Sequence, residues 1–351
     1  MRFPGSDNPV YQMTLRQLRT RPPARGWRRW AAHGLYAVAL AVALIAYLGE
    51  WAGLLLWRDA NPLHVALQPF MLIVSLYVVF AHAGLLLRTL LMAANSISSA
   101  RATGTWDLWV MTGISARHIV SGVWWAVLRA MLPGWLRLLP LRVGVITYIG
   151  AASSYQTARY VAYQLGMRNA SLQLVPPGPL GLLLLVPLSL ALALLSGSVI
   201  AAMGLLASAL VRRVGAAYAI AAGVLLLLLG AGLLSGMLAE RGLYAVFPPG
   251  DVRGTAAYSV LSNVTAAATL SWFDNGALLT TQLINYDAVS GPVDAARLWS
   301  LFRPGSNAVY PEPAFWGALG LVVGLLSAIV TVLLRLARWA VVRAGALPSS
   351  T

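Results

Sequence analysis

Long stretches of the chain carry no charge, and this constrains its fold more than any other feature. Residues 63–87 and residues 169–211 contain no Asp, Glu, Lys or Arg. A helix crosses the hydrocarbon core of a membrane with about 20 apolar residues. Charged residues make up only 10% of the 351 positions, whereas soluble domains carry about 25%. The sequence therefore predicts an all-α, polytopic integral membrane protein.

Six segments are predicted to span the membrane. They are residues 31–49, 63–87, 119–152, 180–210, 215–238 and 314–334. The third segment is the least regular, because it contains three arginines and is interrupted by Pro133 and Pro140. We include it because five spans would put the Arg212-Arg213 pair and the C-terminal arginines on opposite sides of the membrane. Together the spans form a predicted permease domain over residues 31–345, followed by a tail at 346–351.

The three arginines of the third segment are Arg129, Arg137 and Arg142. With about 100° between successive residues of a helix, they lie at about 0°, 80° and 220° and form no single stripe. They either reach toward a membrane face and pair between helices, or they form an intramembrane site for an anionic group.

The net charge of +15 comes from arginines that concentrate at the ends of apolar segments. Positive charge flanks the cytoplasmic ends of membrane helices, so the charge indicates topology and not nucleic-acid binding. Both termini are predicted to be cytoplasmic, and residues 240–312, which hold six of the ten acids, are predicted to be external.

The N-terminal segment, residues 1–30, is basic and holds a predicted helix. Asn8 is its expected N-cap and Pro9 its first residue. The apolar residues Val10, Tyr11, Leu15 and Leu18 fall roughly on one face. We expect an amphipathic helix on the cytoplasmic membrane surface, and a disordered basic leader is the alternative.

Two residue types are missing and exclude several activities. The chain has no cysteine, which removes disulfides, thiolate zinc sites and iron–sulfur clusters. It has no lysine either, since all 25 basic residues are arginine. A Walker A loop needs a lysine to reach the nucleotide phosphates. We therefore expect no enzyme activity, no metal site and no cofactor in this chain.

The connection between the second and third spans, residues 95–118, carries the most specific pattern. Gly104 is expected to end the incoming helix, and Thr105 to cap a new short helix with Asp107 in its first turn. Gly113 is expected to end that helix, and Ser115 to cap the next one. Its apolar surface would come from Trp106, Leu108, Trp109 and Met111. Such a helix is either a handle for a partner protein or an ordinary interfacial connector.

This connection resembles the cytoplasmic loop of the type-2 ABC exporter permeases, which runs "SI..ER..GT.e.L..TP.s...I..GK" between their second and third spans. The matching positions are Ser96, Ile97, Arg101, Gly104, Thr105, Asp107, Leu108, Thr112, Ser115, Ile119 and Gly122. The Asn8-Pro9 start is similar to the N-terminus of the same family. Ala100, Ala102 and Val123 depart from the pattern, where the family has glutamate, an acidic or polar residue, and lysine.

The resemblance implies a permease subunit of an ABC exporter in the bacterial inner membrane. A separate ATPase subunit would bind ATP and Mg, two permease chains would pair among the membrane lipids, and the exported substrate would be lipid-like or amphipathic. The residues implied to contact the ATPase are Arg101, Gly104, Thr105, Trp106, Asp107, Thr112 and Ser115, with Arg101, Trp106 and Asp107 foremost. The alternative is a non-transporting structural or assembly subunit of a larger membrane complex.

Overall fold

The structure is a computed structural model that describes residues 7–19, 27–56, 62–164, 179–227 and 313–345. All regular structure in these ranges is α-helical. In chain order the helices are α1 Pro9–Arg19, α2 Trp27–Leu56, α3 Pro62–Ala102, α4 Thr105–Met111, α5 Ala116–Gln164, α6 Pro179–Leu210, α7 Val214–Leu227 and α8 Pro313–Gly345. In the described part of the chain, five helices (α2, α3, α5, α6 and α8) are long and apolar enough to cross a membrane. The described part of the chain is thus all-helical, and its long apolar helices are those of a multi-pass membrane protein, as the sequence predicts.

The helices extend beyond several predicted spans. α3 continues past residue 87 to Ala102, and α8 continues past residue 334 to Gly345. A hydropathy pattern predicts only the part of a helix that lies in lipid. The backbone hydrogen bonds of the helix do not depend on the lipid, so the helix can extend beyond that part. α7 contains the start of the predicted span 215–238. The rest of that span, the predicted external segment and the C-terminal tail lie outside the described residues.

α5 contains the third predicted span and runs without interruption through Pro133 and Pro140. A proline removes one backbone hydrogen bond and frees a carbonyl of the preceding turn. Within a membrane, neighbouring helices and side chains can satisfy such a carbonyl, which makes proline tolerable in spanning helices.

Small residues bring α3 and α6 into close contact. A Cβ on Gly204 of α6 would lie 2.7 Å from the carbonyl oxygen of Leu90 and 2.8 Å from the Cβ of Ala93, both on α3. Ala93 and Ala94 are fully buried there. Lipid tails are as apolar as the side chains, so membrane helices associate through this kind of close backbone packing.

A second apolar cluster joins α2, α3 and α5. Ala43 of α2, Met71 of α3 and Leu141 of α5 are among its buried members. Gly144 allows the approach of α5 to α2, because a Cβ there would lie 2.7 Å from the Ala43 carbonyl oxygen. The ring of His64 stacks on Tyr148 with 4.3 Å between the ring centroids.

Several helix ends meet at one end of the bundle, which we call the α4 end. α3 ends there, α4 and α5 begin there, and α6 ends beside α3, since Arg101 donates a hydrogen bond to the Ala209 carbonyl. α8 also ends there, because Arg338 lies within electrostatic range of Arg117 at the start of α5.

Candidate partner-docking site at the α4 end

Two glycines set the ends of α4. Gly104 precedes the helix with φ +74°, and Gly113 follows it with φ +67°. Glycine adopts this left-handed conformation without the steric cost that a Cβ imposes. The N-cap position belongs to Gly104, and no side chain caps this helix end. The prediction that Thr105 caps α4 is therefore wrong, and its Oγ1 instead lies 3.0 Å from Oγ1 of Thr103.

The C-terminal side of α4 follows the sequence prediction. The Thr112 hydroxyl donates to the carbonyl oxygens of Leu108 and Trp109, at 3.0 Å each, which satisfies carbonyls in the last turn. Ser115 then caps α5, since its Oγ accepts the backbone N–H of His118 at 3.4 Å. Asp107 lies in the first turn of α4, where a carboxylate complements the helix dipole.

The inner face of α4 consists of Trp106 and Trp109, which are only 6% and 8% exposed. Their rings contact edge to face, with 6.2 Å between centroids. The Arg101 guanidinium lies over the Trp106 ring at 4.7 Å from its centroid, and its Nη1 donates to the Ala209 carbonyl oxygen at 3.0 Å. Arg101 and Trp106 therefore fasten α4 to the ends of α3 and α6. Of the residues expected to contact a partner, Arg101 and Trp106 thus also make contacts within the bundle.

The outer face of α4 consists of Asp107, Leu108 and Met111. Leu108 is 61% exposed and Met111 is 85% exposed, and the Asp107 side chain is exposed as well. Of the three foremost contact residues predicted from the sequence, only Asp107 lies on this surface. α4 lies outside the spanning stretches of α3 and α5. Its two exposed apolar side chains, next to a carboxylate, form a surface that another protein can cover.

The N-terminal helix joins the same site through Asn8. Its Oδ1 accepts the backbone N–H of Val10 at 3.0 Å, which confirms the predicted N-cap. Its Nδ2 donates to the carbonyl oxygen of His118 on α5 at 2.7 Å. Gly122 leaves room for this contact, since a Cβ there would lie 2.8 Å from that Nδ2 atom. Two motifs that are distant in the sequence thus meet in one contact.

Asn8 provides a test of how α1 is held. Asn8→Ala removes both the cap and the hydrogen bond to α5, and we expect a loss of about 1–2 kcal/mol from the docked helix. Hydrogen exchange of the α1 amides measures this loss. Asn8→Asp keeps the cap oxygen but loses the Nδ2 donor, so it should be intermediate. Equal exchange rates in all three proteins would show that Asn8 does not hold α1.

Ser208 is a site residue that sequence reasoning missed. Its Oγ accepts two backbone N–H groups near the C-terminal end of α3, from Ile97 at 3.0 Å and from Ser98 at 2.8 Å. The side chain is fully buried. A lone serine in an apolar helix carries no sequence signal that identifies its partner. It ties α6 to α3 one turn before Arg101, so α4, α3 and α6 are connected by consecutive polar contacts.

The three arginines of α5 do not converge on one site. Arg129 and Arg137 are exposed to the surroundings of the bundle, whereas Arg142 is 2% exposed and lies beside the cluster of α2, α3 and α5. Of the three, Arg142 is the one whose side chain is buried between helices. Within the described ranges, no three His, Cys, Asp or Glu side chains come close enough together to hold a metal ion.

Compared with protein-family models, with curated proteins and with solved structures, the chain gives no match.

Proposed function

We propose that this chain is the membrane-spanning permease subunit of an ABC exporter and that it works with a separate ATPase subunit. One observation carries the proposal. α4 is anchored to the bundle by Trp106 and Trp109, and it exposes Leu108 and Met111 at the end of two long spanning helices. A short helix built this way transmits force, because a partner on its outer face pushes directly on α3 and α5.

The topology of the proposed permease has six spans, with both termini on the cytoplasmic side. α7 starts at the α4 end, directly after the end of α6, and α8 runs back to that same end. A chain that leaves from one end and returns to it through a spanning helix has to cross the membrane once more in between. Residues 215–238 are the apolar segment available for this crossing. Arg101, Arg117, Arg212 and Arg338 at the α4 end support a cytoplasmic location.

The coupling mechanism follows from the contacts of α4. In the proposed cycle, ATP binding closes two ATPase subunits beneath a pair of permease chains, and α1 lies on the cytoplasmic membrane surface. A ligand shifts an equilibrium only through an element that has two arrangements. Here that element is α4 together with α3 and α5, and Ser208 carries its displacement into α6. The apolar interior suits a lipid-like or amphipathic substrate, and ATP hydrolysis takes place only in the partner.

The outer face of α4 supplies the test. We expect Met111→Asp to reduce co-purification of the ATPase roughly tenfold or more, because central apolar contacts dominate interface energies. Asp107→Arg should have an effect in the same direction. The full chain is purified in mild detergent, Walker A proteins are identified by mass spectrometry, and ATP hydrolysis is measured in proteoliposomes.

Met13→Asp is the matched control, since Met13 is an exposed methionine on α1. It should leave both co-purification and hydrolysis unchanged. If an ATPase stays bound when Met111 is replaced by aspartate, α4 is not the docking element and the proposal fails.

The alternative, a non-transporting structural or assembly subunit, is favoured by one observation. Ala100 and Val123 stand where the resembling family has glutamate and lysine, and both are buried among apolar residues. Two charged side chains that could take part in coupling are therefore replaced by buried apolar ones. Such a subunit should co-purify with unrelated membrane proteins and with no ATPase, so the same purification separates the two functions.

A further inference from the structure

A shallow groove lies on the outward side of α8 near its C-terminal end. It is lined by Val332, Arg335, Leu336 and Trp339 and has a volume of about 350 Å³. Trp339 is 51% exposed, and Val332 and Leu336 are exposed to a similar degree. The lining spans about 10 Å along the helix axis, at 1.5 Å per residue. It therefore presents an apolar strip that ends in positive charge.

The positive charge beside the groove is concentrated. Arg338 lies within electrostatic range of both Arg335 and Arg117. Nε of Arg338 is buried and has no hydrogen-bond partner in the described part of the chain. Arg343 extends the cluster, since its guanidinium lies over the Trp339 ring at 4.0 Å from the centroid. Neighbouring like charges repel each other, and an anion placed among them relieves this repulsion.

The position of the groove along the membrane selects the kind of anion. The spanning stretch of α8 is Val323–Arg343, and the groove lies in its arginine-rich C-terminal half, which leads from the hydrocarbon toward the headgroups. Tryptophan and arginine are the residues that membrane proteins place at this level. A free phosphate would leave the apolar strip uncovered, and an acidic peptide would have to lie partly in lipid.

We infer that this groove binds one acidic phospholipid. Its phosphate lies against Arg335, Arg338 and Arg117, and an acyl chain follows Val332 and Leu336 past the Trp339 ring. Basic pockets at the cytoplasmic ends of membrane helices bind acidic headgroups in this manner. The inference does not depend on the proposed transport function, because it requires only that α8 lies in a membrane.

The test measures which lipid the full chain retains. The protein is reconstituted in nanodiscs that contain phosphatidylcholine and phosphatidylglycerol, extracted into neutral detergent, and examined by native mass spectrometry. We expect the wild type to retain one phosphatidylglycerol molecule in preference to phosphatidylcholine. The double variant R335Q/R338Q should retain it roughly thirty-fold less, the effect of removing two arginine contacts with an acidic lipid.

Three further measurements make the result decisive. R212Q/R213Q is the control, because it removes the same amount of charge from two exposed arginines at the α4 end. Since these arginines do not line the groove, retention of phosphatidylglycerol should change less than about twofold. Leu336→Glu should also reduce retention, because it places an anion in the apolar strip, and thermal unfolding verifies that each variant is folded. The inference is overturned if both double variants lose lipid equally, if phosphatidylcholine is retained as well as phosphatidylglycerol, or if added inorganic phosphate displaces the lipid.

Discussion

Replacing Gly204 with valine should prevent α3 and α6 from packing and leave little folded protein in detergent. The reason is geometric, since even a Cβ at this position would meet the backbone carbonyl of Leu90 at 2.7 Å and the Cβ of Ala93 at 2.8 Å. Backbone atoms cannot turn away as flexible side chains do. Overpacking in a core typically costs about 1–3 kcal/mol, and occasionally more. Gly204→Ala should therefore destabilise the protein measurably, and Gly204→Val considerably more.

The measurement is the unfolding transition in mixed detergent, followed by circular dichroism and by the monodisperse fraction in gel filtration. Gly324→Val is the matched control, because Gly324 lies in the spanning stretch of α8 and a Cβ there meets nothing within 4 Å. It should unfold like the wild type. A transition of Gly204→Val that coincides with that of Gly324→Val would mean that α3 and α6 are not in contact.

Replacing Trp106 with alanine should release α4 from the bundle while the spanning helices remain folded. Truncating a buried tryptophan costs about 3–5 kcal/mol. α4 has seven residues, and isolated helices shorter than about 12–15 residues are marginal in water. Without the Trp106 ring, the Arg101 guanidinium and Trp109 also lose a contact. We expect α4 to unfold locally.

Hydrogen exchange over residues 104–113 measures this release, and gel filtration verifies the remaining fold. Leu108→Ala is the control, because the Leu108 side chain lies on the outer face of the same helix and is mostly exposed. Trp106→Phe should recover part of the protection, since an aromatic ring still fills most of the space. If the α4 amides exchange as slowly in the Trp106→Ala protein as in the Leu108→Ala protein, Trp106 is not the anchor of α4.

The sequence was sufficient to predict the features that depend on local chemistry. The uncharged stretches of the sequence predict the apolar centres of the spanning helices, and the Asn8-Pro9 pair predicts the start of α1. Gly113 and Ser115 marked the end of α4 and the cap of α5. Each of these depends on one residue and its own backbone. No distant partner is needed to recognise them.

The features that the sequence could not supply depend on which residues meet across the fold. In α4 apolar residues surround most of the helix, so periodicity does not distinguish the inner face of Trp106 from the outer face of Met111. Thr105 was expected to be the cap because its hydroxyl suits that position, but Gly104 takes it. The contacts of Ser208 with α3 and of Asn8 with Gly122 join residues more than a hundred positions apart. A single sequence contains no signal for such pairs.

The contact between Asn8 and His118 also determines the order in which the protein can be assembled. The two residues are separated by 110 positions, and ribosomes extend a chain by about 5–20 residues per second. α1 therefore waits roughly 5–20 seconds after its synthesis, at that rate, before its acceptor on α5 exists. During this interval its apolar residues have only the membrane surface or a chaperone to cover them. A nascent chain that is stalled before His118 should consequently leave α1 accessible to protease, however long it is held.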